Sequence, residues 1–313
     1  MRTANLALAA GLLCMLATPT SAEMQSAQQF SNGNFEINRD RVRLGTIGTC
    51  AKSTTFLVPT TYLYVTARTK LSAGGGIRGV GAKPRVFVEG PTKRELQNLA
   101  AQIQNQVIGA LRAEGYTVLT FDDVREDVAA KSRMAPNPRY GMPTHDARAF
   151  PGTDFVVATP SDEQTLDYGL TGPAANFGKA SQRTGATLLL PEIYLTLPQL
   201  GATANTTETE TWRSSSASIS FDPAMHLAGA NVYGATPKGG WCSILVPEHG
   251  QRVPATRAGD FRELSVVDDD YGEWGRKRGD YAFVVDDRAF QTGVLATGRT
   301  LSRLIADSMK GRR

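Results

Sequence analysis

Three glycines, Gly74, Gly76 and Gly79, match the spacing G-x-G-x-x-G of phosphate-binding loops. Such a loop must end a strand and begin a helix, because the phosphates rest on the N–H groups at the start of the helix. Here the glycines lead into "KPRVFVEG", which is typical of a strand, and no Gly-Lys-Ser or Gly-Lys-Thr follows. They therefore predict a flexible connector between two strands, and we expect no cofactor.

The three histidines, His145, His226 and His249, share no spacing of metal ligands, so we expect no metal site. His226 alternates with apolar neighbours in a predicted strand, which indicates a structural role. His145 and Asp146 are adjacent in the proline-rich loop 131–152 and are the candidate catalytic pair. An exported hydrolase with a cleft under this loop is one alternative function, although no G-x-S-x-G motif supplies a nucleophile.

Charged and aromatic residues are concentrated in the segment 247–280. The triplet Asp268–Asp270 lacks the D-x-D-x-D-G order of a calcium loop and is typical of a solvated acidic turn. Tyr271, Trp274 and Tyr281 alternate with glycines and charges, a composition common at interaction surfaces. They are a candidate interaction surface, which in a glycan-binding module would contact sugars. The other interpretation is that they anchor the long segment to the core.

The N-terminus has the features of a secretory signal peptide. Arg2 precedes the apolar run Leu6–Ala17, and small residues suited to signal peptidase end at Ala22. We therefore expect cleavage after Ala22, a mature chain in the periplasm or secreted, and no transmembrane segment in it. Cys14 follows Leu13, whereas lipidation requires a small residue at that position, so a lipid anchor is not expected.

Two cysteines remain in the mature chain, Cys50 and Cys242, and they are 192 residues apart. In an oxidising compartment they predict a disulfide between the start of the folded region and a strand near its end. The alternative is a pair of buried thiols.

The charge balance of the whole chain is mild, with a formal net charge of +4, and acidic and basic residues are interspersed. This pattern argues against a nucleic-acid partner. The isoelectric point near 9 agrees with peripheral contact with an anionic membrane surface.

Hydrophobic periodicity predicts two strand–helix–strand units. In the first, a strand over 84–90 precedes a helix that begins at the capping box Thr92-x-x-Glu95 and ends at Gly115, and a strand over 116–121 follows. A broken strand, interrupted at Pro59, comes before this unit. The second unit covers 154–197, with its helix between two apolar strands.

After residue 203 the pattern changes to hairpins, and the chain closes with an amphipathic helix over 284–309. We therefore predict an α/β (α+β) fold: a mixed sheet with βαβ units, late antiparallel hairpins and a closing C-terminal helix. A loosely ordered lead-in over 23–48 is expected before a single domain, 49–313, and the segment 247–280 is expected to be a long loop.

Residues 85–309 combine this order of elements with the run "RVFVEG…LQNLAAQIQNQVIGALRAEGYTVLTF". In both respects they resemble the periplasmic α/β domain of the curli-secretion channel family. It is also similar to the N-terminal domain of the Tol-system propeller protein. The resemblance implies an assembly or envelope-accessory role, with ring formation, and no catalytic residues. The chain departs from the channel family at Leu13 and in the polar run "NTTETETWRSSSAS", since that family is lipid-anchored and its membrane hairpins alternate apolar with polar residues.

The function expected from these observations is an exported, non-enzymatic envelope protein that works through protein contacts in assembly or secretion. Its expected partners are envelope proteins or further copies of the chain. The polar strand run 203–220 is the candidate edge for pairing with them.

Overall fold

The computed structural model describes residues 37–72, 81–128, 133–146, 150–166, 172–208, 213–247, 251–253, 257–269 and 276–310. The strands are β1 (Arg43–Gly45), β2 (Thr55–Leu57), β3 (Tyr62–Lys70), β4 (Gly81–Glu89), β5 (Thr117–Leu119), β6 (Thr144–Asp146), β7 (Thr153–Ala158), β8 (Thr187–Thr196), β9 (Gln199–Glu208), β10 (Arg213–Asp222), β11 (His226–Ala235), β12 (Trp241–Val246), β13 (Gln251–Arg252), β14 (Gly259–Asp269) and β15 (Arg276–Val285). The α-helices are α1 (Ile47–Cys50), α2 (Lys93–Ala113), α3 (Arg125–Val128), α4 (Gly172–Thr184) and α5 (Asp287–Lys310). Short 3-10 helices lie at Arg39–Arg41, Asp122–Val124 and Asp162–Gln164.

Thirteen of the described strands form one mixed sheet, whose main order is β1-β12-β11-β8-β3-β4-β15-β14. β2 and β3 follow one another along the same edge of β8, both parallel to it, and the break between them contains Pro59, as predicted. Among the described strands, β9 and β10 pair only with each other. The predicted mixed sheet with late antiparallel hairpins and a closing helix is confirmed.

The two strand–helix–strand units are present in chain order as β4-α2-β5 and β7-α4-β8. In each unit the two strands run antiparallel to one another and are not neighbours. β4 is antiparallel to β3, whereas β5 pairs in parallel with β2. β7 is antiparallel to β3, whereas β8 is parallel to it. Both helices therefore connect separate parts of the sheet.

One face of the sheet is covered by α2 and α5. The capping box at Thr92 and Glu95 is formed, and the predicted apolar face of α2 is buried. Gly298 of α5 allows the two helices to approach closely, because a Cβ there would lie 2.8 Å from Cγ1 of Ile103. Alternate residues of the central strands, such as Ile193, point into this layer.

In the central strands, the side chains that alternate with these core residues point to the other face of the sheet, where two smaller clusters form. Leu188 and Leu190 of β8 pack with Phe177 of α4 in the first cluster. The second is aromatic and is built on Tyr62 and Tyr64 of β3. Helices and connecting segments therefore bury both faces of the central strands, which is why β8 reads as a continuous apolar run.

The expectation of a long loop over 247–280 is wrong for the described part of that segment. Residues 259–269 and 276–285 form the antiparallel hairpin β14–β15, and β15 pairs in parallel with β4. The sequence "YAFVV" at the end of β15 supplies the apolar residues that join the core. The charged run Arg276–Arg278, which had suggested a loop, lies within β15 and pairs with β4.

The two ends of the described chain also differ from expectation. Within the lead-in 23–48, residues 43–45 form β1, which pairs antiparallel with β12. The closing helix begins at Asp287, later than predicted, because Val284 and Val285 complete β15. These two apolar residues therefore belong to a strand paired with β14 and β4, although the helical pattern of the sequence had placed them in the closing helix.

Candidate functional site

The hairpin arm, residues 199–222, is formed by β9 and β10. Its register contains ten pairs, from Gln199 opposite Asp222 to Glu208 opposite Arg213. Within the part of the chain that is described, neither edge of the arm pairs with a third strand. The arm therefore presents two rows of main-chain hydrogen-bonding groups of the kind that accept an added strand.

The register pairs apolar residues with one another near the base of the arm. Leu200 lies opposite Phe221, and Ala202 is paired with Ile219. The alternate positions 199 and 201 lie opposite 222 and 220 and carry polar residues or glycine. Beyond the pair of Ala204 and Ala217, the sequence of the two strands is mostly threonine and serine.

The base of the arm is anchored to the β14–β15 hairpin by aromatic rings. The centroid of the half-buried Phe221 ring lies 4.5 Å from that of Phe261 and 4.8 Å from that of Tyr281. The Phe261 ring in turn lies 5.0 Å from that of Phe283 in the core. These contacts fix the direction in which the arm leaves the sheet.

Tyr281 is therefore an anchor residue, which was one of the two interpretations of the aromatic group. It packs between the arm and the sheet and is partly buried against the core. Tyr271 and Trp274 lie outside the described residues.

Exposed ion pairs connect the β14–β15 hairpin to β4. Nε and Nη2 of Arg85 donate to the two carboxylate oxygens of Asp280 at 2.7 and 2.6 Å, a bidentate arrangement. Nη2 of Arg262 donates to Oε2 of Glu89 at 2.8 Å. Exposed pairs of this kind add little stability, and their effect is mainly to orient the strands.

His145 and Asp146 lie in β6, an edge strand paired with β7. The His145 side chain is half-buried, and its ring centroid lies 5.7 Å from that of Tyr64. Successive positions of a strand lie on opposite faces, so the backbone does not bring these two neighbours together on one face. Among the described residues, no group of three or more His, Cys, Asp or Glu side chains is placed to hold a metal ion.

The structure contains a buried carboxylate that the sequence analysis missed. Glu192 of β8 is only 3% exposed and lies opposite Tyr62 of β3 and Asn231 of β11. The signal in the sequence was the alternation of Glu192 with Tyr194 and of Tyr62 with Tyr64 in apolar strands. These alternate positions place the carboxylate and the phenols on one face.

The phenol groups around Glu192 are held in their protonated form. Burial raises the pKa of Tyr62 and of Tyr194, and the negative charge of Glu192 raises both further. The pKa of Tyr233 is raised by the same two causes. A tyrosine that acts as a base or nucleophile needs a lowered pKa, so these phenols are suited to donate hydrogen bonds rather than to accept a proton.

The predicted disulfide is confirmed. Cys50 and Cys242 are bonded across a sequence separation of 192 residues, and both are buried. The bridge joins α1 to β12, and it fits an extracytoplasmic, oxidising location.

None of the helices in the described part of the chain combines the length and the apolarity that a bilayer crossing needs. Comparisons with protein-family models, with curated proteins and with solved structures found no match.

Proposed function

We propose that this chain is an exported, non-enzymatic envelope protein that acts through protein contacts in assembly or secretion, with the hairpin arm as its contact element. The observation that carries the proposal is that the arm is a separate two-stranded sheet, attached through the ring of Phe221, with both edges open among the described strands.

Strands of ten residues in a two-stranded ribbon are marginally stable in water on their own. A partner strand added to either edge would satisfy the outward main-chain groups and extend the ribbon into a sheet. The threonine- and serine-rich distal half suits this mode of recognition, because main-chain hydrogen bonds supply affinity without large apolar side chains. The partner is either an envelope protein or a second copy of the chain.

Export is supported by two independent observations. The first 22 residues have the signal-peptide pattern, and Cys50 and Cys242 are joined in a disulfide. The resemblance of the chain to the curli-secretion α/β domain supports an assembly role in the envelope and extends the proposal to ring-shaped oligomers.

The proposal can be tested with the mature chain beginning at Glu23, by light scattering and by cross-linking in envelope extracts. We expect an oligomer or a defined complex. A shortened variant that keeps residues 199–202 and 219–222, and joins them through an Asn-Gly turn, should lose that association while it retains the Cys50–Cys242 bridge.

The matched control is Lys238→Gln in the exposed turn between β11 and β12, which should associate like the wild type. A strict monomer that binds no envelope component contradicts the proposal, as does full association of the shortened variant.

A further inference from the structure

Two adjoining cavities form one continuous groove at the base of the hairpin arm. The larger has a volume of about 760 Å³ and the smaller about 240 Å³, and both are lined by Lys70, Leu71 and Pro151. We call this the base groove. It begins beside β4 and ends at Leu200, the second residue of the arm. The larger cavity lies in the size range of small-molecule sites.

The end of the base groove beside β4 is cationic. Lys70, Lys83 and Arg85 line it, and the carboxylate there is that of Asp280, which Arg85 engages through both oxygens. Among the described residues, no carboxylate lies within 4.0 Å of the ammonium group of Lys70 or of Lys83. Within the described part of the chain, these two ammonium groups therefore have no ion-pair partner.

Strand pairing forces these charges together. Lys70 lies directly opposite Arg85 in the antiparallel register of β3 and β4. Lys83 lies two residues before Arg85 and so on the same face of β4. Asp280 offsets the charge of Arg85, so the repulsion that remains is that between Lys70 and Lys83, and an anion bound between these two lysines would reduce it.

The larger cavity combines these charges with an apolar wall formed by Leu71, Pro84 and Pro151. The smaller cavity is mixed in character, because Phe150, Pro198 and Leu200 line it together with four threonines and Gln199.

The walls of the groove are held by main-chain hydrogen bonds. The Leu71 N–H donates to the Pro84 carbonyl at 3.1 Å, and the Lys70 N–H donates to the Gly152 carbonyl at 2.8 Å. Gly152 has a φ of +82°, and a Cβ at this position would lie 3.4 Å from Cγ of Lys70 and still closer to its carbonyl oxygen. The groove is therefore shaped before any ligand arrives, which lowers the entropic cost of binding.

We propose that the base groove binds an anionic amphiphile, with a phosphate group between Lys70 and Lys83 and an acyl chain along Leu71, Pro84 and Pro151. Cationic groups beside an apolar wall in one cavity match the two parts of a phospholipid. Binding at this place would bring the base of the arm to the surface of a membrane.

The test is flotation of the mature chain with vesicles of phosphatidylcholine alone and with vesicles in which about a third of the lipid is phosphatidylglycerol. We expect binding to the anionic vesicles only. The double variant Lys70→Gln, Lys83→Gln should bind them on the order of 30-fold more weakly, since each lysine near an anionic surface contributes to affinity. Leu71→Asn, which keeps the charge, should also bind more weakly.

The matched control is the double variant Lys52→Gln, Lys238→Gln, which removes the same charge from exposed sites outside the groove and should bind like the wild type. Equal losses in the two double variants would overturn the proposal, because binding would then depend on net charge alone. Equal binding to the neutral vesicles would also overturn it. Release of the protein from the vesicles by inorganic phosphate, together with unchanged binding of Leu71→Asn, would identify a site for the free anion and reject the amphiphile.

Discussion

Gly234 of β11 lies directly opposite Cys242 of β12, and the disulfide to Cys50 occupies the space that a side chain at residue 234 would need. A Cβ at this position would lie 2.9 Å from Sγ of Cys50 and closer still to Sγ of Cys242. The bridge and the glycine therefore form one packing unit.

Gly234→Ala should destabilise the protein by about 1–3 kcal/mol, because the sheet or the bridge must shift to accept one methyl group. Urea unfolding measures the loss. Gly109→Ala in α2, where a Cβ meets nothing within 4 Å, is the matched control and should be neutral or stabilise by up to about 1 kcal/mol. Equal effects of the two substitutions would show that the contact with the bridge does not matter.

Removal of the bridge in Cys50→Ala, Cys242→Ala should lower the free energy of unfolding by about 3–5 kcal/mol, because a closed loop of 192 residues restricts the unfolded chain. Chemical denaturation of the oxidised wild type and of the double variant measures the difference. Reduction of the wild type should produce a similar loss. A double variant as stable as the oxidised protein would refute this reading.

Phe221→Ala should loosen the hairpin arm without unfolding the core, because Phe221 provides the ring contacts with Phe261 and Tyr281 at its base. We expect a local loss of about 2 kcal/mol, visible as faster amide exchange over residues 199–222. Protection of β8 and α2 should stay unchanged. The neighbouring exposed Ser220→Ala is the control, and a loss of the same size there would argue against anchoring by the ring.

Stability should depend on pH through the capping box of α2. The N–H and the hydroxyl of Thr92 donate to Oε2 of Glu95 at 2.8 and 2.7 Å, and these bonds lower the pKa of Glu95 from its ordinary value of 4.5. A lowered folded-state pKa means that the contribution is present above 4.5 and is lost as the pH falls through the folded pKa.

Thr92→Ala should therefore cost about 1 kcal/mol near neutral pH, and the cost should shrink in acid. Urea unfolding of both proteins at about pH 7 and about pH 3 measures the change. Glu95→Gln cannot titrate, so its difference from the wild type should also diminish in acid. A difference that stays constant over this range would exclude the carboxylate as its source.

Much of the fold could be predicted because its signals are local. The capping box at Thr92, the stop at Gly115 and the break at Pro59 each act within a few residues of the chain. The disulfide was predictable for another reason, since two cysteines in an oxidising compartment leave one possible pairing within the mature chain.

The β14–β15 hairpin was missed because its charged residues suggested a loop. In the run Arg276–Arg278 no apolar residue alternates with the charged ones, so the sequence carries no period of two there. Only the pairing of β15 with β4 reveals it. The cluster around Glu192 was missed for a related reason, because it draws residues from β3, β8 and β11, which are far apart in the chain.

The sequence by itself determined most of the strands and helices, the start of α2 at its capping box, and which cysteines pair. Tertiary structure alone decided which strands are neighbours, and with that the open edges of the hairpin arm and the meeting of Lys70 with Arg85. The physical reason is the range of the interactions. Capping, turns and periodic burial depend on residues a few positions apart, whereas strand pairing joins residues whose distance along the chain leaves no trace in local composition.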